Sequence, residues 1–128
     1  MNHQTRVFGS FSVDDVARAK AFYGGTLGLD ADDDEMGGLE LRFAGDNRFY
    51  LYPKHDHTPA TFTVLNFKVG DLRAEMKSLV AKGVHFERYE HGDVKTDADG
   101  VMHHDGMQIA WFKDPAGNFL SLIQERGS

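Results

Sequence analysis

The sequence predicts an α+β fold built from two βαβββ modules with pseudo-twofold symmetry. Three observations lead there. Apolar residues alternate with polar ones over short runs, as in Leu39, Leu41 and Phe43, which is the period of a strand with one buried face. Two stretches, behind Asp14-Asp15 and behind Asp71, carry apolar residues at helical spacing after a capping aspartate. The pattern then restarts near Phe62, so that Phe11 to Val16 lies over Phe67 to Leu72 at an offset of 56 residues. Such a repeat implies two copies of one supersecondary unit, neither able to bury its apolar face alone.

Taken in order, Val7 to Val13 alternates as a first strand, and Asp14 or Asp15 caps a helix bearing Val16, Ala19, Phe22 and Tyr23, which Gly24-Gly25 ends. Asp30 to Glu35 reads as a short second strand. Leu39 to Phe43 and Phe49 to Pro53 form a hairpin through Gly45-Asp46-Asn47. The polar stretch Lys54 to Ala60 connects module one, about residues 5–54, to module two, about 61–125, within one domain of 128 residues. There Phe62 to Val69 is a strand, and Leu72, Met76, Leu79 and Val80 mark the clearest helix, stopped by Gly83. Phe86 to Tyr89 extends, and a Gly-, Asp- and His-rich segment from Glu90 to Gly106 shows no periodicity. Gln108 to Lys113 pairs with Phe119 to Gln124 across the turn Asp114-Pro115-Ala116-Gly117-Asn118. The repeat sets Arg42 over Trp111 and Phe49 over Phe119.

Composition removes several classes of function. The net charge of −6 with scattered basic residues repels a phosphate backbone, so no nucleic-acid partner is expected. No apolar run reaches the length of a membrane span, and the polar start Met1 to Arg6 lacks a signal-peptide core, so the expectation is a cytoplasmic protein with no membrane partner. Cysteine is absent, which excludes disulfides, a thiolate nucleophile and cysteine-based metal sites.

Val13-Asp14-Asp15, then Ala21-Phe22-Tyr23 with Leu27-Gly28-Leu29, then Phe67 to Leu72, then Phe112 to Asn118 with its Asp-Pro-x-Gly-Asn turn resemble the vicinal oxygen chelate superfamily of glyoxalases, extradiol dioxygenases and bleomycin-resistance proteins. The resemblance spans nearly the whole chain. It implies curved mixed sheets around a cavity and, in catalytic members, a metal held from four strand positions. Those positions fall here on Phe8, Val64 and Ser121 and, through the repeat, on Leu51. Zinc and iron sites need imidazole, carboxylate or thiolate donors. The expectation is therefore no metal and no cofactor.

Strand alternation puts Phe8, Ser10 and Ser12 on one face with Phe49, Leu51, Phe62, Val64, Asn66, Phe119, Ser121 and Ile123; the repeat adds Glu40, Arg42, Ile109 and Trp111. Aromatic walls with few polar groups suit a small molecule. Ser10, Ser12 and Ser121 have no assigned partner histidine and read as hydrogen-bonding or space-making groups. Two rival signals exist. His55-Asp56-His57 and His103-His104-Asp105 can in principle meet around a divalent ion, and Tyr89, His91 and Lys95 lie in a segment able to cover the pocket. The expected function is metal-independent binding and sequestration of a hydrophobic aromatic molecule, an antibiotic of the bleomycin, mitomycin or enediyne kind, by a homodimer with no catalytic residue. The alternatives are a glyoxalase- or dioxygenase-like enzyme using displaced histidines, or Glu40 or a residue of the covering segment as a metal-free acid or base, and an interaction module with no ligand.

Overall fold

In the computed structural model, which describes residues 1–127, the chain divides into two units between Thr58 and Pro59, inside the polar connection. Together they give an α+β fold with two four-stranded mixed sheets and few helices, as expected.

The first unit contains β1 (Gly9–Val13), α1 (Val16–Lys20), β2 (Asp30–Asp33), β3 (Leu39–Phe43) and β4 (Asn47–Pro53). Its sheet order is β1-β4-β3-β2, with β1 parallel to β4 and the other pairs antiparallel. Asp15 is the cap, its carboxylate accepting the Arg18 N–H at 3.0 Å. The helix does not stop at Gly24-Gly25. It widens into a π-helical turn over Ala21–Thr26, with the Leu27 N–H donating to the Phe22 carbonyl at 2.9 Å. That extra turn carries Tyr23, fully buried, against Phe22 and Phe11 at centroid distances of 5.2 and 6.4 Å. Phe11, Val13, Leu39, Leu41 and Leu51 complete this core.

The second unit contains β5 (Thr63–Lys68), α2 (Leu72–Ala81), β6 (Val101–His104), β7 (Met107–Lys113) and β8 (Phe119–Gln124), in the order β5-β8-β7-β6. Asp71 caps α2 through the Ala74 N–H at 3.1 Å, and the Gln124 side chain accepts the Leu72 N–H at 2.8 Å, tying the helix start to β8. Leu72, Met76 and Leu79 are buried, each stabilising the unit by roughly 1.5–3 kcal/mol. Here the fourth strand differs from expectation. It comes from Val101–His104, inside the segment without periodicity, whereas Phe86 makes only one bridge, to Phe112. A four-residue strand with His103-His104 at its end carries too little alternation to read, and its pairing of Val101 with Ala110 supplies what local pattern does not.

The registers also correct the repeat. Ser10 pairs with Tyr50 in the first sheet and Asn66 with Ser121 in the second, so Tyr50, not Leu51, corresponds to Ser121. Glu40 pairs with Tyr50 and Trp111 with Ser121, so Glu40, not Arg42, corresponds to Trp111. The last two strands are thus one to two residues further apart in the repeat than their aromatic residues suggest.

One turn holds β7 to β8. The carboxylate of Asp114, a residue only 5% exposed, accepts the N–H groups of Ala116 at 3.0 Å and Asn118 at 2.8 Å and the Asn118 side-chain amide at 3.2 Å. Asn118 in turn accepts the Ala60 N–H at 3.1 Å. Gly117 has φ +84, and a Cβ there would meet Pro59 at 3.0 Å, so only glycine fits both the conformation and the space. No helix among the described residues is long and apolar enough to cross a membrane. Replacing Asp114 by alanine strands three buried donors and is expected to destabilise the fold by about 2–4 kcal/mol, read as a lowered urea midpoint, with Asp114→Asn losing less because one acceptor oxygen remains.

Candidate functional site

Each sheet has one face under its helix and one turned away from it. In the first unit the face away from α1 carries Ser10, Ser12, Glu40, Arg42, Arg48, Tyr50 and Tyr52 by strand register. Phe49 and Leu51 do not join it. They lie on the helix side, Leu51 wholly buried, because β4 is displaced by one residue from the alternation expected. The face is dominated by charge. Arg48 Nη1 donates to Glu40 Oε1 at 3.0 Å, and Arg42 pairs with Asp32, with Asp30 at 3.5 Å and with Glu40 at 3.7 Å. These are solvent-facing pairs, each worth little. Glu40, Arg48, Tyr50 and Met36 border a hollow of about 390 Å³ together with Phe8, which precedes β1 and is 66% exposed, and Phe49 reaches its edge from the helix side. Ser12 does have a histidine partner: its Oγ lies 2.7 Å from Nδ1 of His57. No sequence signal links a strand serine to a loop histidine forty-five positions on.

The second unit brings the aromatic candidates together. Trp111 and Phe119 both line an open cleft of about 520 Å³, with Phe62, Thr63 and Tyr89 beside them. This lies within the roughly 300–1,000 Å³ typical of small-molecule sites. The indole is fixed from two sides. Its Nε1–H donates to Thr63 Oγ1 at 3.1 Å, and the Tyr89 ring stands edge-on to it, 5.9 Å between centroids and 79° between planes. Thr63 reaches this position through a bulge. It pairs with Phe119 while Leu65 pairs with Leu120, leaving Val64 as the extra residue, so Val64 is not part of a regular alternation with Asn66. Burial first, then the charge of Glu87, pushes the Tyr89 phenol above its ordinary range, keeping it protonated.

The remaining candidates lie on the same face but are not in the cleft lining. Ile109 pairs with Ile123, and Ser121, wholly buried, donates from Oγ to Asn66 Oδ1 at 2.6 Å. Tyr89, His91, Asp93 and Val94 form the cleft's outer wall. Strand alternation misses Thr63, hidden by the bulge, and Val94, an isolated apolar residue in a polar stretch.

That wall is anchored at its far end. Thr96 closes it onto Tyr89 through N–H to carbonyl at 2.8 Å, while the Tyr89 N–H donates to Thr96 Oγ1 at 2.8 Å. The Asp97 carboxylate then accepts the Val101 and Asp99 N–H groups, an Arg73 guanidinium nitrogen at 2.8 Å and a His103 ring nitrogen at 3.1 Å. Its pKa is held well below the usual carboxylate range, chiefly by the Val101 N–H and further by His103, Arg73 and the Asp99 N–H, against a desolvation that raises it.

The side chains at the family's metal positions do not fit a metal. Phe8 and Val64 have no donor, Tyr50 in the corrected register is a phenol, and Ser121 is committed to Asn66. His103 turns to Asp97 and His104 to Asp105, and among the described residues no three His, Asp or Glu side chains gather as a metal group.

The model of the Glyoxalase/Bleomycin resistance protein/Dioxygenase superfamily matches residues 3–122, and the chain belongs to that superfamily. Among curated proteins no sequence match is found. Solved structures share the fold. A glyoxalase-family protein from Bacillus anthracis superposes with a TM-score of 0.71 at 17% identity, covering 98% of this chain and 100% of that one. TnmS3, an antibiotic-binding protein from Streptomyces sp. CB03234, gives 0.66 at 24% identity over 96% and 98% of the two chains. A lactoylglutathione lyase from Agrobacterium tumefaciens gives 0.63 at 17% identity over 96% of each. At these identities the likeness is one of fold.

Because the folded pKa of Asp97 is depressed, its stabilisation of the wall is present above the ordinary carboxylate value near ~4 and is lost as pH falls through the folded value. Amide exchange, corrected for intrinsic rate, is expected to accelerate across residues 89–97 on acidification, and Asp97→Asn to reproduce this at neutral pH. Unchanged protection in the variant would contradict the anchoring role.

Proposed function

We propose that this protein binds and sequesters an apolar, aromatic small molecule without metal and without transforming it. The observation that carries this is the indole of Trp111, locked by Thr63 and Tyr89 along the wall of an open cleft it shares with Phe62 and Phe119. Phe62, 68% exposed, leaves its ring open to a molecule entering the cleft. Locked rings lose little entropy when a planar ligand stacks on them, and each aromatic pair adds about 0.5–1.5 kcal/mol beyond area burial. Thr63, having accepted the indole N–H, keeps its hydroxyl proton to orient a ligand acceptor. Antibiotic binding by TnmS3, which has the same fold, supports an antibiotic as the ligand.

The enzymatic reading has less behind it. Glu40, the acid or base candidate, is held by Arg48 and Arg42. The Ser12–His57 contact uses Nδ1 and borders neither cleft.

Titration with aromatic antibiotics is expected to change Trp111 fluorescence saturably for at least one compound, with chelator present or absent, and that compound should be recovered unaltered. Trp111→Ala should weaken binding roughly ten-fold, the loss of one or two ring contacts. Turnover of the compound would instead establish an enzyme.

We further propose a homodimer. Val7, Phe8 and Met36 are large apolar side chains that are largely exposed in the first unit, and closed twofold pairs are the commonest assemblies. Light scattering should give twice the 14.3 kDa chain mass, shifted towards monomer by Phe8→Asp; a concentration-independent monomer would refute it.

A further inference from the structure

The cleft of the second unit has an electrostatic signature beyond its aromatic walls. Its lining includes no lysine or arginine, and its one carboxylate is Asp93. Asp97 and Asp99, on the same segment, are both paired with Arg73, whereas Asp93 has no ion-pair partner among the described residues. Trp111, Tyr89 and Phe119 line the same cleft, and aromatic ring faces carry negative quadrupole potential. One of these rings already holds a cation: the Lys113 ammonium sits 5.1 Å from the Phe119 centroid. That lysine is neutralised by Glu87 at 3.3 Å, while Lys95, next to the lining residue Val94, is exposed and stands outside the lining. The whole chain, at net −6, adds a long-range field of the same sign as Asp93.

We infer that the ligand of this cleft carries an ammonium group, seated against the Trp111 and Tyr89 rings with Asp93 as its counter-ion. The inference rests on the aromatic-binding reading above and narrows it from an apolar planar molecule to a cationic one. Rings fixed before binding suit this role, because a cation gains from a ring face only when the face need not be reorganised to meet it. Asp93 is exposed, so its part is sensitive to salt, while the ring contribution is less so.

Calorimetric titration of the full chain with naphthylmethyl-trimethylammonium and with uncharged naphthylmethanol tests it. The expected result is that the ammonium compound binds about five- to thirty-fold more tightly at low salt. Asp93→Asn should shrink that preference at least several-fold, whereas Glu90→Gln, an exposed acid outside the lining, should leave it intact. Equal or tighter binding of the alcohol, or a preference untouched by Asp93→Asn, overturns the inference while leaving the aromatic site standing. If neither compound, nor any neutral polycyclic antibiotic, perturbs Trp111 fluorescence at millimolar concentration, the aromatic-binding reading itself falls.

Discussion

Asp114 gathers three donors at a single turn, and because that turn joins β7 to β8, the carboxylate decides how Trp111 and Phe119 stand relative to one another. The two residues come from different strands, so their shared cleft exists only while the strands keep their register. Asn118 extends the constraint to Ala60, just ahead of the strand that supplies Thr63. A buried carboxylate saturated with donors is costly to assemble but hard to displace, since every alternative leaves a donor or a charge without a partner.

The two modules have taken the same scaffold to different ends. Where the second sheet carries Trp111, the first carries Glu40; where the second carries Ser121, the first carries Tyr50. The first face is an ionic lattice in which each arginine answers nearby acids. The second is aromatic, with its charges at the margin. Repetition of a fold unit therefore preserves core positions such as Leu39, Leu41 and Phe112 while leaving the opposite face free to diverge, because only the helix-side residues are constrained by packing.

How much of this was legible in the sequence follows from which forces act locally. Aspartate caps, the α2 stripe and the Asp-Pro-x-Gly-Asn turn announce themselves because their partners lie within a few residues. The repeat sets Trp111 on the face away from the helix, although against Arg42 rather than Glu40, its equivalent by register. Phe49 and Leu51 were assigned to the wrong face because aromatic residues were aligned with each other, whereas register follows hydrogen bonding and moved the match to Tyr50. Val101–His104 was illegible because its strand character comes from pairing with β7. Ser12 and His57, and Asp97 with Arg73, meet through tertiary placement that no spacing encodes.

The bulge at Val64 has a consequence for how such a cleft can change over evolutionary time. One surplus residue lets Thr63 pair with Phe119 while Leu65 stays in register with Leu120. A strand edge of this kind absorbs the gain or loss of a single codon without disturbing the core behind it. Such an indel would exchange the side chain that meets the indole N–H and shift Phe62 with it, while Tyr89, Trp111 and Phe119 stay in place. Related chains can thus acquire a different polar anchor, and with it a different preferred guest, by a change in length alone.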